Sequence, residues 1–249
     1  MSKISLPRKG VWMLKNTFCH LVSEKKEQEL WRSNCLHWDE ISENHELHSR
    51  ILESKKALAE NNPKFFLEKI PKKQHWRLYK ELPYCFLDIE TTGLSKHFND
   101  VTVIGVYDGK SSKLFVKDKN MEEFPAEISK YSTVITYNGK CFDLPFLKAK
   151  YPELDLDKFH IDLRYVLKEF GYSGGLKHIE LEMGLSRDEE LKEVDGFEAV
   201  RLWHRYRRGD EDALRLLLKY NQADIENLKY LMDFAYEKMR EKYFLSQIR

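Results

Sequence analysis

The sequence predicts an α/β protein: a mixed five-stranded sheet flanked by helices, with a small helical region ahead of it. Three observations lead there. The apolar pattern changes at Tyr84 from helical spacing to short runs rich in β-branched and aromatic residues. The first three of these runs are joined by turn-rich segments alone. After them the pattern alternates helix, strand, helix, strand, which adds flanking helices to the sheet.

In chain order, residues 1–80 read as charged and helical. A first helix spans Ser23 to Ser33, with Ser23 as N-cap and Leu30 and Trp31 inward. A second spans Leu47 to Glu60, with Leu47, Ile51, Leu52 and Leu58 near helical spacing. Pro63 and Pro71 then punctuate the chain, and Ile70 to Arg77 reads as a hinge or lead-in. Residues 81–249 form the second domain. Its strands are expected at Tyr84–Glu90, Val101–Tyr107, Lys113–Lys117, Thr133–Tyr137 and Phe159–Leu163, with Asp108-Gly109 marking a hairpin. Helices are expected from about Pro125 to Lys130 and from Asp143 to Lys150. Beyond the break at Gly171–Gly175 the chain is mostly helical.

Composition bounds the class. The 249 residues, 42% hydrophobic and 33% charged, suffice for one substantial core and a smaller appended unit. The 42 Lys and Arg nearly balance 41 Asp and Glu, so local clusters rather than net charge must reveal a polyanionic partner. Cys19, Cys35, Cys85 and Cys141 have neither zinc-finger nor disulfide-framework spacing, which fits a reducing compartment. No run approaches a membrane span and the N-terminus lacks a signal-like apolar core, so a cytoplasmic protein with no membrane partner is expected.

The chemistry concentrates in a few acids. Asp88 and Glu90 lie two apart in the apolar run Cys85-Phe86-Leu87-Asp88-Ile89-Glu90. On a strand they share one face. Two carboxylates so close in an apolar setting need a positive partner, and oxygen-only ligands suit Mg²⁺ or Mn²⁺. Asp143 opens a helix, where an acid can also be a plain cap. Tyr220 and Asp224 are four apart on a helix and project from one face.

In this order, on these elements, the residues resemble the DnaQ-like exonuclease superfamily of the ribonuclease-H-like fold. Asp88-Ile89-Glu90-Thr91 matches its first motif, Asn138 through Phe142-Asp143 its second, and Tyr220 with Asp224 its third. The tyrosine marks the DEDDy subclass; the position of the alternative histidine is Lys219. Within the superfamily the chain is similar to YprB-type ribonuclease-H-like proteins over roughly residues 84–240. That likeness includes Gly175-Leu176-Lys177-His178-Ile179-Glu180 and Val200-Arg201-Leu202-Trp203, and extends to Asn16–Leu21 and Trp38–Glu40.

The resemblance implies a hydrolase: a 3′–5′ exonuclease acting on single-stranded nucleic acid or 3′ ends through two Mg²⁺ or Mn²⁺ ions. Asp88, Glu90 and Asp224 would hold one ion, which would bind the attacking water. Asp88 would bind the other, with Asp143 direct or through water, and Tyr220 would orient the attacking water. The residues leave DNA and RNA open. They also leave open a non-catalytic binding module, an accessory subunit of a repair or processing complex, and a ribonuclease-H-like endonuclease.

Other residues carry two readings. Thr91, Asn138, Arg205 and Arg208 are nucleic-acid contacts on the functional reading. In Arg201–Arg208 the alternative is an amphipathic helix with Phe197, Val200 and Trp203 inward and the arginines solvated. Lys72, Lys73 and Arg77 divide between phosphate contact and plain surface. Asp162 is a cap, a partner of Arg164 or a metal contact. Leu21–Ile41 resembles a degenerate helix-hairpin-helix, though Val22-Ser23-Glu24-Lys25 offers no glycine for gripping a backbone. A protein partner through this region is the other reading.

Overall fold

The computed structural model describes residues 13–248. The chain divides into two compact units, Pro83–Ala235 on the one hand and the residues up to Leu82 with those from Tyr236 onward on the other.

In the larger unit, β1 (Tyr84–Thr91), β2 (Val101–Tyr107), β3 (Ser112–Val116), β4 (Thr133–Thr136) and β5 (Phe159–Asp162) form one sheet in the order β3-β2-β1-β4-β5. The pairings β1–β2 and β2–β3 are antiparallel, whereas β1–β4 and β4–β5 are parallel. This is the mixed five-stranded sheet the sequence predicts, with the acid-bearing strand at its centre.

Strand alternation decides which side chains meet which layer. Cys85, Leu87 and Ile89 of β1 pack into an apolar cluster with Phe124 and Ile128, from helix Phe124–Ile128, and Phe146 and Leu147, from helix Asp143–Lys150. The opposite face carries Val103 of β2. It packs with Ala199, Leu202 and Trp203 of helix Gly196–Tyr206 and Ala213, Leu214 and Leu217 of the long helix Glu211–Tyr243. Asp88 and Glu90 therefore project toward the long helix. Past Glu90 the β1–β2 register slips by one residue, Glu90 opposing Val103 and Thr91 opposing Val101, a bulge at the end of the strand that bears the acids.

The smaller unit contains α1 (Glu24–Arg32), α2 (His48–Ala59) and α3 (Pro63–Leu67). Ser23 caps α1 by accepting from the Lys26 N–H, as its sequence indicates. On α2 the inward face is Ile51, Ser54 and Ala57. Leu52, expected inside, is 52% exposed, because i and i+1 positions diverge by about 100° on a helix. Ile70 to Arg77 is no hinge: a 3-10 helix over Lys72–Leu78 buries Gln74, His75, Trp76, Arg77 and Leu78. Arg77 is a core ion-pair partner of Glu27 at 2.9 Å, and Lys73 pairs with Glu24 at 2.8 Å. Leu21–Ile41 holds α1 and a 3-10 turn at Trp38–Glu40 but no second α-helix, so the helix pair of a helix-hairpin-helix does not form there.

The remaining helices of the larger unit, numbered onward, are α4 (Phe124–Ile128), α5 (Asp143–Lys150), α6 (Leu163–Lys168), α7 (Leu176–Glu182), α8 (Gly196–Tyr206) and α9 (Glu211–Tyr243). The end of α9 from Tyr236 belongs to the smaller unit.

Candidate active site

The acids predicted from sequence converge. Carboxylate oxygens of Asp88, Glu90 and Asp224 all lie within 4.8 Å of one another. Two come from successive same-face positions of β1 and the third from the facing side of α9. Asp143, buried at the first turn of α5, lines the same cleft. Burial disfavours its charged form, and the backbone N–H of Ile89 in β1 favours it.

The close approach of α9 to the sheet rests on Gly105, the β2 residue opposite Asp88. A Cβ there would sit 2.1 Å from Asn221 Oδ1. With only hydrogen in the way, Asn221 seats fully buried against β2, donates from Nδ2 to Asp88 Oδ2 at 2.8 Å and also hydrogen-bonds Glu90.

Crowding of like charges away from water shapes the electrostatics. Burial, with Asp224 and Asp143 adding repulsion, raises Asp88 well above the ordinary carboxylate range. The same causes raise Glu90. Burial moves Asp143 and Asp224 up to about 7 each. Tyr220 is pushed up by burial and by its acidic neighbours, so its hydroxyl stays protonated.

One cation answers this charge. Arg187 donates to Asp224, and its fork also grips Glu180, Nε to Oε2 at 2.6 Å and Nη2 to Oε1 at 2.8 Å. Asn227 donates to the same Glu180 Oε1 at 3.0 Å, and the Arg187 guanidinium lies 5.2 Å from the Tyr220 ring centroid. Side-chain exposure is 4% for Arg187 and 1% for Glu180. A buried pair this dry contributes little net stability, since desolvation offsets its attraction; its effect is to hold Asp224 in place.

The cleft, about 790 Å³, is lined by the acids, Tyr220, Thr91 and Asn138 among others. Asn138 sits in the left-handed region (φ +64°) that asparagine tolerates. The turn is held by Asp162, which accepts from the N–H groups of Asn138 at 2.8 Å, Lys140 at 3.0 Å and Arg164 at 3.1 Å. Asp162 is thus a turn clamp and helix cap, and the three-carboxylate group does not include it. Arg205 pairs with Asp210 (2.8 Å), and neither Arg205 nor Arg208 lines the cleft. Phe197, expected inside α8, is 71% exposed at the cleft wall, while Trp203 is buried as expected.

Sequence reasoning missed Asn221, Glu180 and Arg187. Asn221 had a signal: on α9 it is one turn before Asp224 and shares its face. Glu180 lay in the segment Gly175–Glu180 that carries the family likeness, with no role assigned; Arg187 had no signal, because its pairing with α9 is purely tertiary.

The oxygen-only donor set fits a hard divalent cation. Glu90 Oε1 is buried without a hydrogen-bond partner, and an unsatisfied acceptor of this kind suits a metal ligand. A sequence profile of the RNase_H superfamily matches residues 85–236. The family B DNA polymerase of the hyperthermophilic archaeon Pyrobaculum calidifontis is similar in structure, at 16% identity and TM-score 0.48, over 65% of this chain and 24% of the polymerase chain. This chain thus spans about a quarter of that protein. Brucella melitensis NrnC bound to pGG is similar at 18% identity and TM-score 0.47, over 68% of this chain and 79% of NrnC. NrnC with bound Mg²⁺ has the same identity and coverage and a TM-score of 0.42. No curated protein matches.

Proposed function

Because the chain belongs to the RNase_H superfamily, we propose that it is a metal-dependent hydrolase of the DEDDy type, related to the YprB-type proteins, that removes nucleotides from the 3′ ends of single-stranded nucleic acid. The observation that carries this reading is the convergence of Asp88, Glu90 and Asp224 oxygens within 4.8 Å in a cleft also walled by Asp143 and Tyr220.

In this reading Asp88, Glu90 and Asp224 would hold one divalent ion, and Asp88 with Asp143 a second. Such ions, when bound, supply charge neutralisation at the phosphate and a water acidic enough to attack near neutral pH. The protein's own groups prepare that chemistry. Asn221 fixes the Asp88 carboxylate, and Arg187 occupies one oxygen of Asp224, leaving the other for an ion. Tyr220, protonated and hydrogen-bonded to Asp224, serves as a polar handle that orients the attacking water rather than as a base.

The test is digestion of 5′-labelled linear strands and internally labelled circular strands, DNA and RNA, with Mg²⁺ or Mn²⁺. A ladder shortening from the 3′ end and an uncut circle are expected. Asp88→Asn is expected to lower the rate by on the order of a thousandfold, a loss of several kcal/mol of transition-state stabilisation. Full activity in that variant would rule the site out, and cutting of the circle would make the protein an endonuclease.

A further inference from the structure

Beside the cleft opens a second hollow of about 740 Å³, with Lys96, His97, Lys140 and Lys148 on its walls and Asp155 and Asp157 also contributing. The two hollows share their construction. Gly93, Leu94 and Ser95 line the cleft while Lys96 and His97 line the hollow; likewise Asn138 and Asp143 line the first, and Lys140 and Leu144 the second. The segment common to both is the loop Gly93–Asn99.

That loop is held from within. Asn99 Oδ1 accepts from the Ser95 N–H at 3.0 Å, and the N–H groups of Phe98 and Asn99 donate back to the Ser95 carbonyl at 3.1 and 2.8 Å. A Cβ at Gly93 would lie 2.8 Å from Asn99 Oδ1, so only glycine leaves room for the asparagine that fills the loop. Its base is closed by Thr92 N–H to the Asp100 carbonyl, 2.9 Å. On this tied loop Phe98 is 90% exposed. A lone exposed phenylalanine carries little meaning. Here it follows Lys96 and His97 in the chain, on the loop that the two hollows share. An exposed aromatic among basic groups is the combination that binds single strands, a base stacking on the ring and phosphates meeting the cations.

We propose that a single-stranded polynucleotide longer than a dinucleotide runs from the candidate active site across this loop, stacking a base on Phe98 and laying its phosphates along Lys96 and Lys148. Asp155 and Asp157 add negative charge to the same hollow, Asp155 Oδ1 accepting from the Asp157 N–H at 3.0 Å, so the phosphates are assigned to the lysines and not to the hollow as a whole. The inference rests on the nuclease reading and names its substrate class: strands with nucleotides beyond the pair at the cleaved bond.

Two measurements test it on the full chain: kcat and KM in Mn²⁺ for a dinucleotide and for a strand of about ten nucleotides, and anisotropy binding of the longer strand, phosphorothioate-linked, across a salt series. Phe98→Ala is expected to raise KM and Kd for the long strand about tenfold with kcat unchanged, to leave the dinucleotide unaffected, and to be rescued by Phe98→Trp. Lys96→Ala with Lys148→Ala should flatten the salt dependence of long-strand binding by about 1.4 in log–log slope, two phosphate contacts at roughly 0.7 each. Unchanged long-strand binding in Phe98→Ala, or an equal loss on the dinucleotide, overturns the inference while wild-type digestion upholds the nuclease reading. If the wild type digests no strand at all, the nuclease reading falls, and the inference with it.

Discussion

Asp143 and Asp224 ionise near 7 in the folded chain, against an ordinary aspartate value of 3.8, because burial disfavours their charged forms. Between those values the folded state binds more protons than the unfolded state. The stability this confers is complete below about 3.8 and is lost as pH rises through about 7. Metal binding requires the charged forms, so Mn²⁺ should raise the melting temperature strongly at pH 8 and little at pH 5.5. His20, buried in the smaller unit and lowered to about 3, acts in the opposite sense. The difference with and without Mn²⁺ at each pH cancels it. Arg187 gives the second prediction. Arg187→Met strands Glu180 and Asp224 without their cation, at a cost of about 3–5 kcal/mol in urea unfolding. Adding Glu180→Leu should return much of that loss, since an apolar pair can replace a buried ion pair at little cost. Metal response should remain impaired, because the guanidinium that holds Asp224 is gone.

At the scale of elements, the site depends on how closely α9 approaches β2. Gly105→Ala places a methyl against Asn221 and is expected to destabilise the protein by about 1–3 kcal/mol, as overpacking does, and to lower activity by displacing Asn221 from Asp88. Gly105→Ala with Asn221→Ala should recover stability without recovering activity, as denaturation and digestion assays would show. The strands were legible in the sequence because β-branched runs between turn residues have few alternatives. The acidic pair was legible because period-two spacing puts both carboxylates on one face. Phe197 was misplaced because amphipathic spacing says which face is apolar, not whether a neighbour covers it. At its place on α8 the cleft opens, and the ring meets solvent.

The molecule as a whole carries nearly balanced charge, so its expected attraction for a polyanion is local, at the loop and hollow beside the cleft. The larger unit closes on two apolar clusters, one on each face of its sheet, with the acids at the edge of one layer. Its fold is therefore expected to form without a metal. Removing metal with EDTA should abolish digestion and leave the far-UV circular dichroism unchanged, and restored Mn²⁺ should recover activity. No helix among the described residues is long and apolar enough to cross a membrane.

By itself the sequence determined the class of fold and the acid-bearing strand, and period-two and i, i+4 spacing placed Asp88 with Glu90 and Tyr220 with Asp224 on shared faces; Asp143 joined them as a candidate only through the family resemblance. Only the tertiary structure decided what surrounds them. Asn221 on Asp88, Gly105 beneath Asn221, and Arg187 on Asp224 join residues 37 to 133 positions apart, while Glu180, seven positions before Arg187, meets it only once α9 is in place. Burial likewise belongs to the folded chain, since a carboxyl loses its water only when another layer covers it. That layer brings Asp88, Glu90 and Asp224 together, and with them the case for a bound cation.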